Sequence, residues 1–111
     1  MSEVLLATTH ILPGYKIEKV LGVVYGSSVR TRGLGGKIIA GIEAIVGGRG
    51  EAYLRELEKA RDEAIKELMS KAKSIGANAV IGVDFETTEI LEGFIVITAY
   101  GTAVVARPVE E

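Results

Sequence analysis

The run Ser27-Ser-Val-Arg30-Thr-Arg32-Gly-Leu-Gly35-Gly36-Lys37 concentrates the residue types that can hold an anion. Backbone N–H groups freed of side-chain crowding at a helix start can surround a phosphate or carboxylate. Arg30, Arg32 and Lys37 would add positive charge, so these three with Gly35 and Gly36 form a candidate anion site. The spacing is not that of a P-loop, which needs Gly, four residues, then Gly-Lys-Ser/Thr. Nor is it the dinucleotide fingerprint in its strand–turn–helix setting. The plainer use of these glycines is tight turning in a surface or interface loop.

A second constellation is His10 with Asp84 and Glu86, the latter two expected on one strand face. One imidazole and two carboxylates suit a hard cation; soft metals ordinarily take thiolates or several imidazoles. His10 also reads simply as a polar residue at a strand end. For nucleophilic catalysis, Thr8, Thr9, Ser27 and Ser28 offer hydroxyls, but His10 is the only imidazole base. The carboxylate pairs Glu86/Glu89 and Glu43/Glu51 have no spacing that singles them out, and no catalytic residue is assigned. Arg30, Arg32, Lys37 and Arg49 are basic, yet only Tyr25 and Tyr53 lie near them for base stacking, a thin basis for nucleic-acid binding.

Composition narrows the field further. The chain has 111 residues, enough for one domain (1–111) and one modest core. A hydrophobic fraction of 48% is high for so small a chain, and implies that a partner covers some of it. The net charge of −2 does not advertise a polyanion partner. Without Cys there are no disulfides, thiolate chemistry or sulfur metal sites, and the expected location is the cytoplasm. Apolar runs are too short to span a bilayer. No Gln, a single Asn and many Lys and Glu lean towards a thermophile.

These residues need elements to position them. Val4–Thr9 reads as a strand stopped by Pro13-Gly14. A second strand starts at Tyr15, with Tyr15, Ile17, Lys19, Leu21, Val23 and Tyr25 on one face; beyond Val20 both faces are apolar and expected to be covered. Gly22 and Gly26 suggest a bulge or a close backbone approach. Residues 27–36 read as a loop, and Lys37–Val46 as a short helix of about three turns. Glu51–Ile75 carries apolar residues at i, i+3/i+4 spacing and predicts a long amphipathic helix. Its pairs Glu51–Arg55, Asp62–Lys66 and Glu67–Lys71 would each add about 0.2–0.5 kcal/mol. Gly76 and Asn78 are placed to end it. Then follow a strand over Ala79–Thr87, with Ile81, Val83 and Phe85 facing the core, a loop over 89–93, and Phe94–Arg107. This last strand is apolar on both faces and belongs mid-sheet.

The segments Gly14-Tyr-Lys-Ile17, Val20-Leu-Gly-Val23, Ile39-Ala-Gly-Ile42, Ile45-Val-Gly-Gly48, Ala60-Arg61, Gly76-Ala-Asn-Ala-Val-Ile-Gly-Val83 and Ala99-Tyr-Gly-Thr-Ala-Val-Val105 together resemble the YbjQ-like, or UPF0145 (DUF74), family. The match runs in order over nearly the whole chain. The resemblance implies an α+β fold: a small, mostly antiparallel sheet on one long and one short helix, a dodecin-like subunit that assembles as a homopentameric ring. Subunit interfaces would then cover the apolar excess. It also implies a cytoplasmic binding or storage module, more a binder than an enzyme, with a metal ion as the candidate cofactor. A ring would hold that metal between symmetry-related carboxylates or His10 side chains. The alternative function is anion or nucleotide binding, or catalysis, at residues 27–37.

Overall fold

A computed structural model describes residues 3–31, 51–91 and 94–109. In chain order the elements are β1 (Leu5–Leu6), β2 (Tyr15–Thr31), α1 (Glu51–Ser74), β3 (Ala79–Leu91) and β4 (Phe94–Pro108). The four strands form one sheet in the order β1-β3-β4-β2. β1 runs parallel to β3, while β3 and β2 both pair antiparallel with β4, so the sheet is mixed. The architecture is α+β, with α1 packed on one sheet face. The expected helix over 37–46 lies outside the described residues.

Helix α1 forms where the i, i+4 pattern places it, and Ala60, Ala64, Leu68 and Ala72 have no exposed surface. These small residues let the helix axis come close to the sheet. Beneath them lie the equally small Ala99 and Ala103 of β4 and Gly26 of β2. Leu68 supplies the largest single apolar contact on this stripe; full burial of such a side chain is worth about 1.5–3 kcal/mol. Leu54 and Ile75, at the two ends of the pattern, remain about half exposed.

The helix stops at Gly76, whose φ of 92° carries the chain into left-handed backbone. The Gly76 amide bonds the Lys73 carbonyl at 3.0 Å and the Ala77 amide bonds the Ala72 carbonyl at 3.0 Å, a Schellman pair. Asn78 does not share in this cap, contrary to expectation, and its φ is not positive. Its carboxamide instead donates to the Ala106 carbonyl at 2.7 Å and accepts from the Ala106 amide at 2.8 Å. β4 runs past the start of β3 here, and the Asn78 side chain pairs with it as a further strand residue's peptide would. The Asn78 backbone joins in: its amide reaches Val104 and its carbonyl accepts from Leu5.

Bulges move several side chains away from the faces that simple alternation gives them. Gly82, at φ 64°, sits in a break of the β3–β4 register between Ile81 and Asp84. Val80 and Val83 therefore both pack in the cluster under α1, whereas Ile81 joins Leu12, Ala79, Val104 and Ala106 on the opposite side. Two register shifts in β2, between Ile17 and Lys19 and between Val20 and Gly22, separate Leu21, packed under α1, from Ile17 on the other side. Strand β1 is shorter than expected: the regular ladder ends at Leu6, Ala7 bridges the β3 bulge by donating to Val80 and accepting from Val83, and residues 8–13 fold over this second cluster. Thr9 accepts a bond from Gly82, and Leu12 is buried there. Residues 27–31 continue β2 and residues 89–91 continue β3, both read from sequence as loop. Their cross-strand partners on β4, Phe94 to Thr98, pair with both strands at once. The last strand is central, as its two apolar faces require.

Candidate functional site

Among the described residues β2 is an edge strand, and α1 lies along that edge with a polar stripe spaced i, i+4. Glu63 accepts from the Ser28 hydroxyl at 2.7 Å and pairs with the Arg30 Nη2 at 3.0 Å. Glu67 accepts from the Ser27 amide at 2.5 Å, and the Lys71 ammonium sits 4.5 Å from the Tyr25 ring centroid. The helix thus satisfies an outward-facing amide of an edge that would otherwise invite another strand. Glu67 and Lys71, spaced to pair with each other, are turned to β2 instead. The Glu63 carboxyl is held below the ordinary carboxylate range, first by the Ser28 hydrogen bond and then by Arg30.

The sheet face away from α1 is different in kind. Val23 is 75% exposed, Tyr25 56% and Val29 55%, so the later half of β2 is covered on one side only within the single chain, against the expectation of two. The register sets side chains in rows across three strands. Tyr25 pairs with Tyr100 and Tyr100 with Asp84; Ser27 pairs with Thr98 and Thr98 with Glu86. Val23, Tyr25, Ser27, Glu86, Thr98 and Tyr100 line an open groove of about 440 Å³. The Ser27 and Thr98 hydroxyls share a hydrogen bond of 2.9 Å.

The residues singled out by sequence are distributed as follows. Arg30 lies on β2 beside Glu56 at 3.6 Å and Glu63, its charge already matched. Arg32, Gly35, Gly36 and Lys37 fall outside the described residues. His10 lies in the 8–13 stretch, and its ring atoms come within 3.1 and 3.2 Å of where a Gly82 Cβ would stand. Asp84 bonds the Phe85 amide at 2.8 Å through one carboxylate oxygen. Glu86 lines the groove. Among the described residues no three His, Asp or Glu side chains stand together as a metal-ligand set. The whole sequence has no Cys and one His, so the donors of one chain do not fit a soft heavy metal. Sequence reasoning missed Tyr100, Thr98 and the groove itself. The signal lay in the register of β2 on β4, which two bulges conceal. Among the described residues no helix is long and apolar enough to cross a membrane.

A family profile described as "Putative heavy-metal-binding" matches residues 4–107. The chain belongs to the YbjQ-like, UPF0145 family. A UPF0145 protein of Picrophilus torridus is 46% identical over 99% of this chain and 93% of its own length. One of Sulfurisphaera tokodaii is 47% identical over 94% of this chain and 91% of its own. A third, of Thermus thermophilus, is 40% identical over 98% and 96%. Thermophiles among the relatives agree with the amide-poor composition of this UPF0145 chain. A crystal structure from Pediococcus pentosaceus, described as a DUF74 protein with unknown function, superposes with a TM-score of 0.64. It is 23% identical and covers 94% of this chain and 98% of that one, a likeness of fold.

Proposed function

We propose that this YbjQ-like protein is a cytoplasmic, homo-oligomeric binding or storage module, a dodecin-like subunit of a pentameric ring, and not an enzyme. The observation that carries the reading is the uncovered sheet face, where Val23, Tyr25 and Val29 stand more than half exposed in one chain. Exposed patches of this kind mark sites of association. Support against catalysis comes from the hydroxyls. Ser27 is bonded to Thr98, Ser28 to Glu63 and Thr9 to the Ile11 carbonyl, so none of these hydroxyls donates to a base of the kind a nucleophile uses except where Glu63 holds Ser28, already paired with Arg30. A metal, in this reading, is held between symmetry-related copies of Asp84, Glu86 or His10, because among the described residues one chain supplies no complete set. The competing reading, an anion at residues 27–37, is weakened by the carboxylates already on Arg30.

Light scattering on a sizing column tests the assembly. The wild type is expected to elute as a closed oligomer and Val23→Glu/Val29→Glu as a folded smaller species. A wild type that stays monomeric at micromolar concentration overturns the reading. A melting shift with sulfate or nucleotide, lost in Lys37→Ala, would favour the anion site instead.

A further inference from the structure

We propose that the groove on the open sheet face binds a small organic cation, with Glu86 as counter-charge and the rings of Tyr25 and Tyr100 as walls. This rests on the reading of the chain as a binding module and names the chemical class of its ligand. It shares Val23 and Tyr25 with the face assigned to self-association, so the ligand sits where copies of the chain would meet.

The rows of the sheet decide which groups meet. Tyr25 and Tyr100 are direct cross-strand partners, so their rings rise side by side from the sheet. One row along, Ser27, Thr98 and Glu86 are partners in turn. The two hydroxyls bond each other and make a quiet floor. The Glu86 carboxylate has no hydrogen bond or ion pair with another described residue. Among the described residues no Lys or Arg is part of the groove lining, and the second carboxylate nearby, Asp84, is the partner of Tyr100 in the adjoining row. The Lys71 ammonium rests on the Tyr25 ring and forms no ion pair with Glu86, which leaves that carboxylate to attract a further cation.

The walls decide what sort of cation. A hard metal ion needs about six oxygen ligands, and one free carboxylate beside tyrosine rings and Val23 is far short of that. An alkylammonium needs one anion plus apolar and aromatic contact, which is what these residues supply. The Tyr25 ring already attracts an ammonium in this structure, that of Lys71 at 4.5 Å. The groove, at about 440 Å³, has room for a small amine.

The chain contains no Trp and four Tyr, so its ultraviolet fluorescence comes from tyrosine and two of the four emitters line the groove. The test titrates the full-length protein with choline and with 3,3-dimethyl-1-butanol, the neutral molecule of the same shape, by tyrosine fluorescence and calorimetry. Choline is expected to bind saturably and at least about tenfold more tightly than the alcohol. Glu86→Gln and Tyr100→Leu should each weaken choline several-fold, while Glu58→Gln on the exposed helix face leaves it unchanged. Circular dichroism melts confirm that each variant is folded. No saturable choline binding by the wild type up to about 10 mM overturns the proposal. So does equal affinity for the alcohol, or choline binding that survives Glu86→Gln. Saturable manganese binding that needs Glu86, without choline binding, overturns it in favour of a metal. Light scattering on the same samples keeps the two proposals apart. A monomer that binds choline removes only self-association, and an oligomer that ignores it removes only the cation site.

Discussion

Gly26 of β2 and Ala64 of α1 face each other with no room between them for one more carbon. A Cβ built on Gly26 would run into the Ala64 carbonyl oxygen and the Leu68 amide nitrogen, both backbone atoms that cannot swing aside. The alanine stripe of the helix and this glycine together set how near α1 lies to the sheet. Gly26→Ala is therefore expected to push the helix outward and to cost about 1–3 kcal/mol, as overpacking does. Urea unfolding of the two proteins measures it; equal midpoints would contradict the close approach.

Asn78→Ala should destabilise the chain by about 1–3 kcal/mol, because it leaves both the amide and the carbonyl of Ala106 without their partner. Asn78→Asp is expected to fare little better, since it keeps the acceptor and sets a negative charge against the Ala106 carbonyl. Hydrogen exchange at the Ala106 amide is the specific readout: protection is lost in Asn78→Ala and retained in Asn78→Asp, which keeps the acceptor.

Acid should weaken the contact between α1 and the edge strand. The Glu63 carboxyl is lowered in the folded protein by Ser28 and Arg30. A lowered carboxyl stabilises the fold above its unfolded value and loses that contribution as pH falls through its folded value. Thermal melts are thus expected to drop at pH below 4.5. In Glu63→Gln the fall should be shallower, from a lower starting melting temperature at neutral pH.

Soft metals should not bind a single chain in stoichiometric amounts. With no thiolate and one imidazole, cadmium or copper(I) has no ligand set. Native mass spectrometry of untagged protein after metal loading is expected to show the bare mass for any monomer present. A one-to-one cadmium adduct on the monomer that survives a chelator wash would refute this.

Much of the fold can be read from local pattern. The α1 stripe, its stop at Gly76 and the central place of β4 all follow from spacing and two-sided apolarity, which neighbours in sequence display. The groove does not. Tyr25 and Tyr100 become neighbours only through the register of β2 on β4, and a bulge near Gly22 resets which side Tyr25 faces relative to Leu21. Ile81 likewise changes sides because Gly82 interrupts the alternation. Asn78 was expected at the helix cap by residue type, but Gly76 and Ala77 complete the cap with backbone bonds alone. The side chain was thereby left to reach Ala106.

The central position of β4 has a consequence for how the chain comes into being. β2 and β4 pair along nearly their whole length, from Tyr15 with Pro108 to Thr31 with Phe94, and β3 also depends on β4 for its antiparallel partner. A ribosome makes β2, α1 and β3 before the strand that joins them. Until then β2 has no strand partner among the described residues, and the helix has only half a sheet on which to lay its alanines. Such pairing between distant parts of a chain is slow compared with helix formation. The nascent protein must keep the apolar side of β2 out of trouble for the time it takes to synthesise the other elements.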